Sequence, residues 1–126
     1  MFIVENFVDV VKRYVDFNGR ATRSEFWYFT LANAILGFIL GIILGISGLI
    51  SPSLAYLLVL LIVLFFLALL LPSLSLTVRR LHDTNKSAWW LLLALVPIIG
   101  PLALLFFYCQ DGTPGRNQFG PDPKGR

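Results

Sequence analysis

The charged residues leave two long stretches of this chain free of Asp, Glu, Lys and Arg. One stretch runs from Phe26 to Val78, over 53 residues, and the other runs from Ser87 to Gln110, over 24. Apolar runs of 18 or more residues with few charges predict membrane-spanning helices. The two stretches therefore predict three spans, at about 26–50, 54–76 and 88–108, with the charged loop 77–87 before the last of them.

The residues before the first span follow the pattern of an amphipathic helix. Between positions 2 and 17, apolar side chains recur every three or four residues and charged side chains fill the opposite face. Asn18-Gly19 is typical of a helix end. We expect residues 1–19 to form a helix that lies in the membrane interface, packs on the rest of the protein, or does both.

The third apolar tract contains Pro97-Ile-Ile-Gly100-Pro101, so a helix there is kinked or broken. Its length favours a kinked third span, and a re-entrant segment is the alternative. The tail 109–126 holds four glycines and three prolines, which predicts turns without a core. The predicted fold is all-α and membrane-integral: an interfacial helix over 1–19, a transmembrane helical domain over 20–108, and this tail.

Composition agrees with a membrane protein. Hydrophobic residues make up 57% of the 126 and charged residues 13%, against roughly 25% charged in soluble domains. A soluble domain of this size has too little interior to hide so many apolar side chains. The single cysteine, Cys109, excludes an internal disulfide and a cysteine-based zinc site. Residues 1–25 carry charges throughout and are not expected to form a cleavable signal peptide.

The net charge of +3 comes from short basic clusters that flank the apolar tracts. This placement indicates topology signals and contacts with anionic lipid headgroups, and it differs from the continuous basic face of a nucleic-acid-binding protein. The N-terminal segment has four Lys and Arg, the turn 51–53 none, the loop 77–87 three and the tail three. The N-terminus and the loop 77–87 are therefore predicted to be cytoplasmic. A re-entrant third segment would place the tail there too.

The loop 77–87 is the densest cluster of chemical groups. Arginine binds phosphate well and histidine titrates near neutral pH, so the loop is a candidate site for a ligand or a lipid headgroup. A simple interfacial anchor, with Asp83 paired to one of the arginines, is the alternative. No nucleophile motif, carboxylate pair or metal-ligand set accompanies the cluster, so we expect no catalytic residues, no metal and no cofactor. The candidates are Arg79, Arg80, His82, Asp83 and Lys86.

Two further groups of residues have predicted roles in the membrane. Gly37, Gly41 and Gly45 repeat every four residues, one step after Asn33, and small residues let helices approach closely in lipid. They pack either on another helix of this chain or on a second copy in a homo-oligomer. Basic and aromatic residues at the predicted helix entries are candidate interfacial anchors: Arg20, Arg23, Trp27, Tyr28, Trp89 and Trp90.

Several motifs together carry a resemblance to a known family. They are the segment Phe17–Tyr28, the cluster Arg79–Asp83 with Ser87 and Trp89-Trp90 after it, Pro97–Gly100, and the glycine-rich segment Gly112–Asp122. With these motifs the chain resembles, from about Val10 to Pro123, the small bacterial proteins known as domain of unknown function 805. The resemblance implies a multi-pass protein of the bacterial inner (plasma) membrane. It implies no activity and no catalytic residues.

Three functional hypotheses follow. The first is a non-enzymatic membrane protein that acts through protein or lipid contacts. The second is a minimal oligomeric channel or carrier, which the almost wholly aliphatic tract 26–76 disfavours for ions. The third is an enzyme that acts on a lipid headgroup through the cluster Arg79–Asp83. The absence of a catalytic constellation in the sequence favours the first.

Overall fold

The computed structural model describes residues 3–125. Positions 1 and 2 of the predicted interfacial helix and position 126 of the tail lie outside the described residues. The described chain folds into four α-helices and one 3₁₀ helix, without a strand. The all-α prediction is therefore confirmed for residues 3–125. The elements are α1 (Ile3–Lys12), α2 (Arg23–Ile50), α3 (Pro52–Asp83), the 3₁₀ helix (Ala88–Leu95) and α4 (Ile99–Cys109).

Helices α2 and α3 form a long antiparallel hairpin. The Thr22 hydroxyl caps α2 by accepting a hydrogen bond from the Glu25 amide at 3.2 Å, and Pro52 opens α3 after an extended Ser51. At 1.5 Å per residue the helices are about 42 and 48 Å long, more than a hydrocarbon core of about 30 Å requires. Only 11% and 6% of the residues in their most apolar stretches are buried. Both helices are thus suited to cross a membrane, and neither is the core helix of a soluble protein.

Helix α3 continues beyond the predicted span end at residue 76. It passes through Pro72 without stopping and ends at Asp83, about three turns after Pro72. The segment predicted as a charged loop over 77–87 is therefore mostly helix, and only residues 84–87 lie outside a helix. As a result, the side chains from Arg79 to Asp83 are held in fixed directions on one rigid helix end.

The third apolar tract does not form one helix. The 3₁₀ helix and α4 pack against each other in a hairpin, and a Cβ at Gly100 would overlap the backbone carbonyl of Leu93. The chain reverses at Ile98, which has φ +69° in a tight turn closed by the Ile99 amide and the Pro97 carbonyl at 2.7 Å. The sequence predicted that the segment 97–101 kinks or breaks the helix over 88–108, and this turn and the close approach at Gly100 separate two short helices there.

Helix α1 lies across the end of the α2–α3 hairpin. Val10 is buried with Phe26 and Leu76 in the small core, and the Phe7 ring stacks on Phe29 with centroids 5.3 Å apart. Val11 is partly buried against this core, whereas Val4 and Val8 remain exposed. The helix thus packs on the protein and also presents an apolar face.

We predict that Gly100→Ala lowers the stability of the protein by about 1–3 kcal/mol, the usual cost of overpacking. The new methyl group must displace the Leu93 carbonyl and open the hairpin. Gly48→Ala is the matched control, since its Cβ would lie 4.0 Å from the Ala55 Cβ, an ordinary contact. Thermal unfolding in detergent measures both variants. Equal unfolding temperatures for the two would contradict the close packing of the hairpin.

Candidate functional site

The carboxylate of Asp83, at the end of α3, is shared between two arginines. The Arg20 Nε donates to one oxygen at 2.9 Å and the Arg80 Nη1 donates to the other at 2.9 Å. All three side chains are at most 2% exposed. Removing one partner of such a group leaves a buried charge uncompensated, which makes the three residues interdependent.

Arg20 also connects this pair of contacts to the C-terminal tail. Its guanidinium donates to the carbonyl oxygens of Thr113 and Gly115, the second at 2.8 Å, and to the Asp83 carbonyl at 3.2 Å. A carboxylate oxygen of Asp122 lies 4.0 Å away. Arg20 was predicted to be an interfacial anchor, but its side chain is 1% exposed, so in this structure it ties the tail to α3 and does not face lipid.

Arg80 connects α3 in the same way to the apolar hairpin, which is formed by the 3₁₀ helix and α4. Its Nε donates to the Tyr108 carbonyl at 3.1 Å, and its Nη2 donates to the Gln110 carbonyl just beyond α4. The Nη1 that binds Asp83 also lies 3.3 Å from the Ala21 carbonyl. One guanidinium therefore joins α3, the end of α4 and the segment before α2.

The tail packs closely on this cluster, although its composition predicted turns without a core. Any Cβ at Gly112 would overlap the Asp83 carboxylate, so only glycine fits there. The Phe119 ring stacks on His82 with centroids 3.9 Å apart and planes 3° apart, and Asn117 donates to the His82 carbonyl at 2.9 Å. The prediction of a tail without packing is corrected, because the glycines allow the backbone to reach buried polar groups.

The His82 side chain also contacts the segment before α2: its Nδ1 lies 3.0 Å from the Gly19 carbonyl. A carbonyl only accepts, so this nitrogen carries the proton. Lys86 donates to the Gln110 side chain at 2.9 Å and lies over the Phe107 ring at 4.6 Å. Burial lowers the pKa of Lys86, and the positive charge of Arg80 lowers it further.

Arg79 differs from the other predicted site residues. It is fully buried, and none of its three side-chain nitrogens has a hydrogen-bond partner among the described residues. Consecutive helical residues point about 100° apart. Arg79 therefore faces α1 and the start of α2, whereas Arg80 faces the tail and the hairpin of the 3₁₀ helix and α4. Glu25 is close enough to interact with Arg79 electrostatically.

The cluster thus has two parts, which differ in whether their hydrogen-bonding groups already have partners in the chain. Around Asp83 the hydrogen-bonding groups are used within the chain, and no group of three potential metal ligands occurs among residues 3–125. Around Arg79 donors remain unfilled. The Oδ1 of Asn6 is likewise buried and unpartnered, although the Nδ2 of Asn6 donates to the Glu25 carbonyl at 2.9 Å.

The glycine face is not covered within the chain. A Cβ at Gly37, Gly41 or Gly45 would meet nothing within 4 Å. The Asn33 Nδ2 donates to the Phe29 carbonyl at 3.1 Å, and its Oδ1 is buried without a partner. Packing on another helix of the same chain, the simpler interpretation of the repeat, is therefore not what the structure contains.

The other predicted anchors lie at the surface or at the edge of the core. Trp89 and Trp90 are exposed at the start of the 3₁₀ helix, and the Trp90 ring meets Phe107 edge-on. Tyr28 is exposed, and Trp27 packs partly against the core. Exposed Arg23 lies 3.8 Å from Asp111 and donates to the Cys109 carbonyl at 3.3 Å.

Sequence reasoning did not single out Asn6, Glu25, Gly112 or Asp122 as site residues. Gly112 and Asp122 begin and end the glycine-rich motif that carried the family resemblance, and that motif was the available signal. Asn6 and Glu25 had no such signal, because the bond between the Asn6 side chain and the Glu25 carbonyl depends on how α1 crosses the long helices.

A model of the family described as "Protein of unknown function (DUF805)" matches residues 14–121. The chain belongs to this family. It is 50% identical to inner membrane protein YhaI and 45% identical to inner membrane protein YhaH, both of Escherichia coli (strain K12), over 118 residues that are 94% of this chain. The matches cover 94% and 95% of those proteins. No solved structure matches the chain significantly.

The family membership agrees with the resemblance inferred from the motifs. The match includes Arg20, Arg80 and Asp83, together with most of the tail that contacts them. Its description assigns no activity, so the chemistry of the cluster has to be argued from its geometry.

We predict that Asp83→Asn destabilises the protein by about 3–5 kcal/mol, because two buried arginines then lose their counter-charge. The tail should also loosen, and hydrogen exchange across residues 112–120 should become faster. Thermal unfolding and exchange mass spectrometry measure the two effects.

Asp16→Asn is the control for this change. It removes a carboxylate that pairs with Arg13 at 2.8 Å in a setting more than a third exposed, which is worth at most about 1 kcal/mol. We call the Asp83 carboxylate with its two arginines, Arg20 and Arg80, the clamp. If Asp83→Asn leaves both stability and tail exchange unchanged, the clamp does not hold the fold together, and the Asp83 charge is available for chemistry.

Proposed function

We propose that this protein is a non-enzymatic protein of the bacterial inner membrane that acts through contacts with lipids and with other proteins. One observation carries the proposal: the groups best suited to chemistry, Arg80, His82 and Asp83, are buried and bonded to the chain's own segments. The names of the relatives YhaI and YhaH support the location.

The lengths of the helices support a placement in the bilayer. Of the 48 Å or so of α3, about 30 Å crosses the hydrocarbon, which reaches from Pro52 to about residue 72. The first charged residue after Pro52 is Arg79, about 10 Å further along the helix. The cluster around Asp83 then lies at the headgroup level and above it, beside α1 and the tail.

The apolar hairpin supports a re-entrant arrangement in place of a third span. The 3₁₀ helix and α4 are each about 16 Å long, half of the hydrocarbon thickness. Their outer ends meet, since Lys86 contacts both Phe107 and Gln110. The tail then shares the side of the N-terminus and the loop before the hairpin, and all ten basic residues lie on that side, which we propose is cytoplasmic.

The two alternatives are less well supported. A channel or carrier needs a polar pathway, and the surfaces between α2 and α3 are aliphatic and aromatic, as in the shallow groove lined by Leu40, Leu58 and Phe65. An enzyme acting on a headgroup would need His82 or Asp83 free to react, yet Phe119 and Gly112 cover them.

A homo-oligomer is the form of protein contact that a specific observation favours. The face of Gly37, Gly41 and Gly45 has open space where each Cβ would stand, and it lies along an exposed side of α2. Close helix packing in lipid uses such small residues.

We predict that the tail and the N-terminal segment are reached only from the cytoplasm. With Cys109 replaced by Ser, a membrane-impermeant maleimide should label Ser53→Cys in intact cells. It should label Asn18→Cys and Gln118→Cys only after permeabilisation, which also serves as the control for their reactivity. Labelling of Gln118→Cys in intact cells would restore three full spans, and labelling of Asn18→Cys would reverse the orientation.

We further predict that Gly41→Leu weakens self-association at least tenfold without destabilising the monomer, since its side chain has open space and leucine favours helix over glycine. Photobleaching-step counting in vesicles measures the dimer fraction. Ile43→Phe adds bulk to the opposite, exposed side of α2 and should dimerise like the parent. A monomeric parent, or a Gly41→Leu protein that dimerises equally well, would exclude a dimer interface at the glycine face.

A further inference from the structure

Helix α1 covers one face of α3 near the charged end of that helix. Ser75, Leu76 and Arg79 share this face, because side chains three and four positions apart are neighbours on a helix. The Ser75 hydroxyl donates to the Arg13 carbonyl at 3.1 Å, just after α1, and Leu76 is buried in the same small core as Val10 of α1. Arg79 follows one turn later and is 0% exposed. The end of α1 therefore lies over the part of α3 that carries Arg79.

This buried position is unfavourable for the charge of Arg79. Its Nε, Nη1 and Nη2 have no hydrogen-bond partner in the described part of the chain. Burial lowers the pKa of Arg79, and the positive charge of Arg13 lowers it further. The carboxylates of Asp16, Glu25 and Asp9 offset part of this effect. Because arginine keeps its proton in proteins, the burial does not remove the charge but makes it costly to hold α1 in place.

The contacts that hold α1 on the two long helices are limited. Of the side chains of α1, only Asn6 and Val10 are buried. The Asn6 side chain donates to the Glu25 carbonyl at 2.9 Å, and the Phe7 ring stacks on Phe29. A short helix with so few buried contacts separates from its neighbours at a lower free energy than the whole fold requires to unfold.

The chain after α1 returns to α3 before α2 begins. The Gly19 carbonyl accepts from the His82 Nδ1 at 3.0 Å, and the Ala21 amide donates to the Arg79 carbonyl at 2.9 Å. The clamp holds the same end of α3 to the tail and to the apolar hairpin. A movement of α1 therefore ends before Gly19 and leaves the clamp intact.

We propose that α1 is a lid that opens and closes on α3, and that the buried charge of Arg79 brings the open and closed positions close in free energy. When α1 lifts, the Arg79 guanidinium reaches water, which satisfies its donors. The Ser75 bond to the Arg13 carbonyl and the packing of Val10 are lost at the same time. This inference concerns a movement within the chain and does not rest on the proposed contacts with lipids and proteins.

The test is hydrogen exchange of the full-length protein in nanodiscs, measured by mass spectrometry. Arg79→Met replaces the guanidinium by an unbranched apolar side chain. We expect exchange over residues 7–12 to become about tenfold slower, because the closed lid then covers no charge. Exchange over residues 112–120 should remain as in the parent, because the clamp that holds the tail is unchanged.

Arg80→Met is the matched control, since it makes the same change one residue further along α3. It removes a partner of Asp83, so exchange over residues 112–120 should become at least tenfold faster. Arg79→Lys keeps the positive charge and should not slow exchange over residues 7–12. If Arg79→Lys slows this exchange as much as Arg79→Met does, the charge is not the cause and the proposed role of Arg79 is wrong.

Three results for Arg79→Met would overturn the inference. They are faster exchange over residues 7–12, unchanged exchange there, and failure of the variant to fold. In each case Arg79 would support the closed position or have no influence on it.

A second measurement tests the lid with Arg79 unchanged. In a Cys109→Ser background, Val10→Cys is buried and reacts with a water-soluble maleimide only when α1 is open. Opening of the lid exposes little surface, so the labelling rate should change less than about twofold between 0 and 1 M urea. A rise of about fivefold or more over this range would mean that Val10→Cys is reached only by global unfolding, and α1 would then not be a lid.

Discussion

The shared carboxylate of Asp83 is the interaction on which the rest of this fold depends. Arg20 and Arg80 bind its two oxygens, and each arginine also donates to carbonyl oxygens of another segment. The helical hairpin of α2 and α3 buries few side chains, so it offers little apolar packing to fix the segments at its charged end. Hydrogen bonds to charged groups, each stronger than a neutral one, take over this task.

The contacts of Arg80 also bear on the apolar hairpin of the 3₁₀ helix and α4, which folds back on itself. The turn at Ile98 places a β-branched residue at positive φ, which is unfavourable by itself. Arg80 offsets that cost by holding the Tyr108 and Gln110 carbonyls at the end of α4. With the end of α4 held there, the 3₁₀ helix and α4 lie side by side.

Much of the architecture could be predicted from the charge-free tracts, because a long apolar tract satisfies its own backbone hydrogen bonds in lipid when it is helical. The two long helices follow from this constraint. The structure of the third tract does not follow from it, since Pro97 and Pro101 are compatible with a kink and with a turn. The close contact between Gly100 and the Leu93 carbonyl is what selects the turn. The local spacing allowed Asp83 to pair with Arg79 or Arg80, and the choice depends on what lies on each side of α3.

The partners contributed by distant segments left no local pattern. Arg20 and Asp83 are 63 residues apart, and nothing in the composition of the segment around Arg20 distinguishes an anchor in lipid from a buried ligand of a carboxylate. The same holds for Asn6, whose place beside Glu25 is set by the crossing of α1. Periodicity reports which face of a helix is apolar, but not which helix will cover that face.

Two adjacent residues on α3 therefore serve different purposes. Arg80 points toward the hairpin and tail, where every bond it makes holds the chain together, and Arg79 points toward α1, where its donors have no partner in the chain. A fold that only needed an interfacial charge would place Arg79 in the solvent or lipid surface at little cost. Its complete burial with unfilled donors instead sets it apart from Arg80, the next residue, whose donors are all used to hold the chain together.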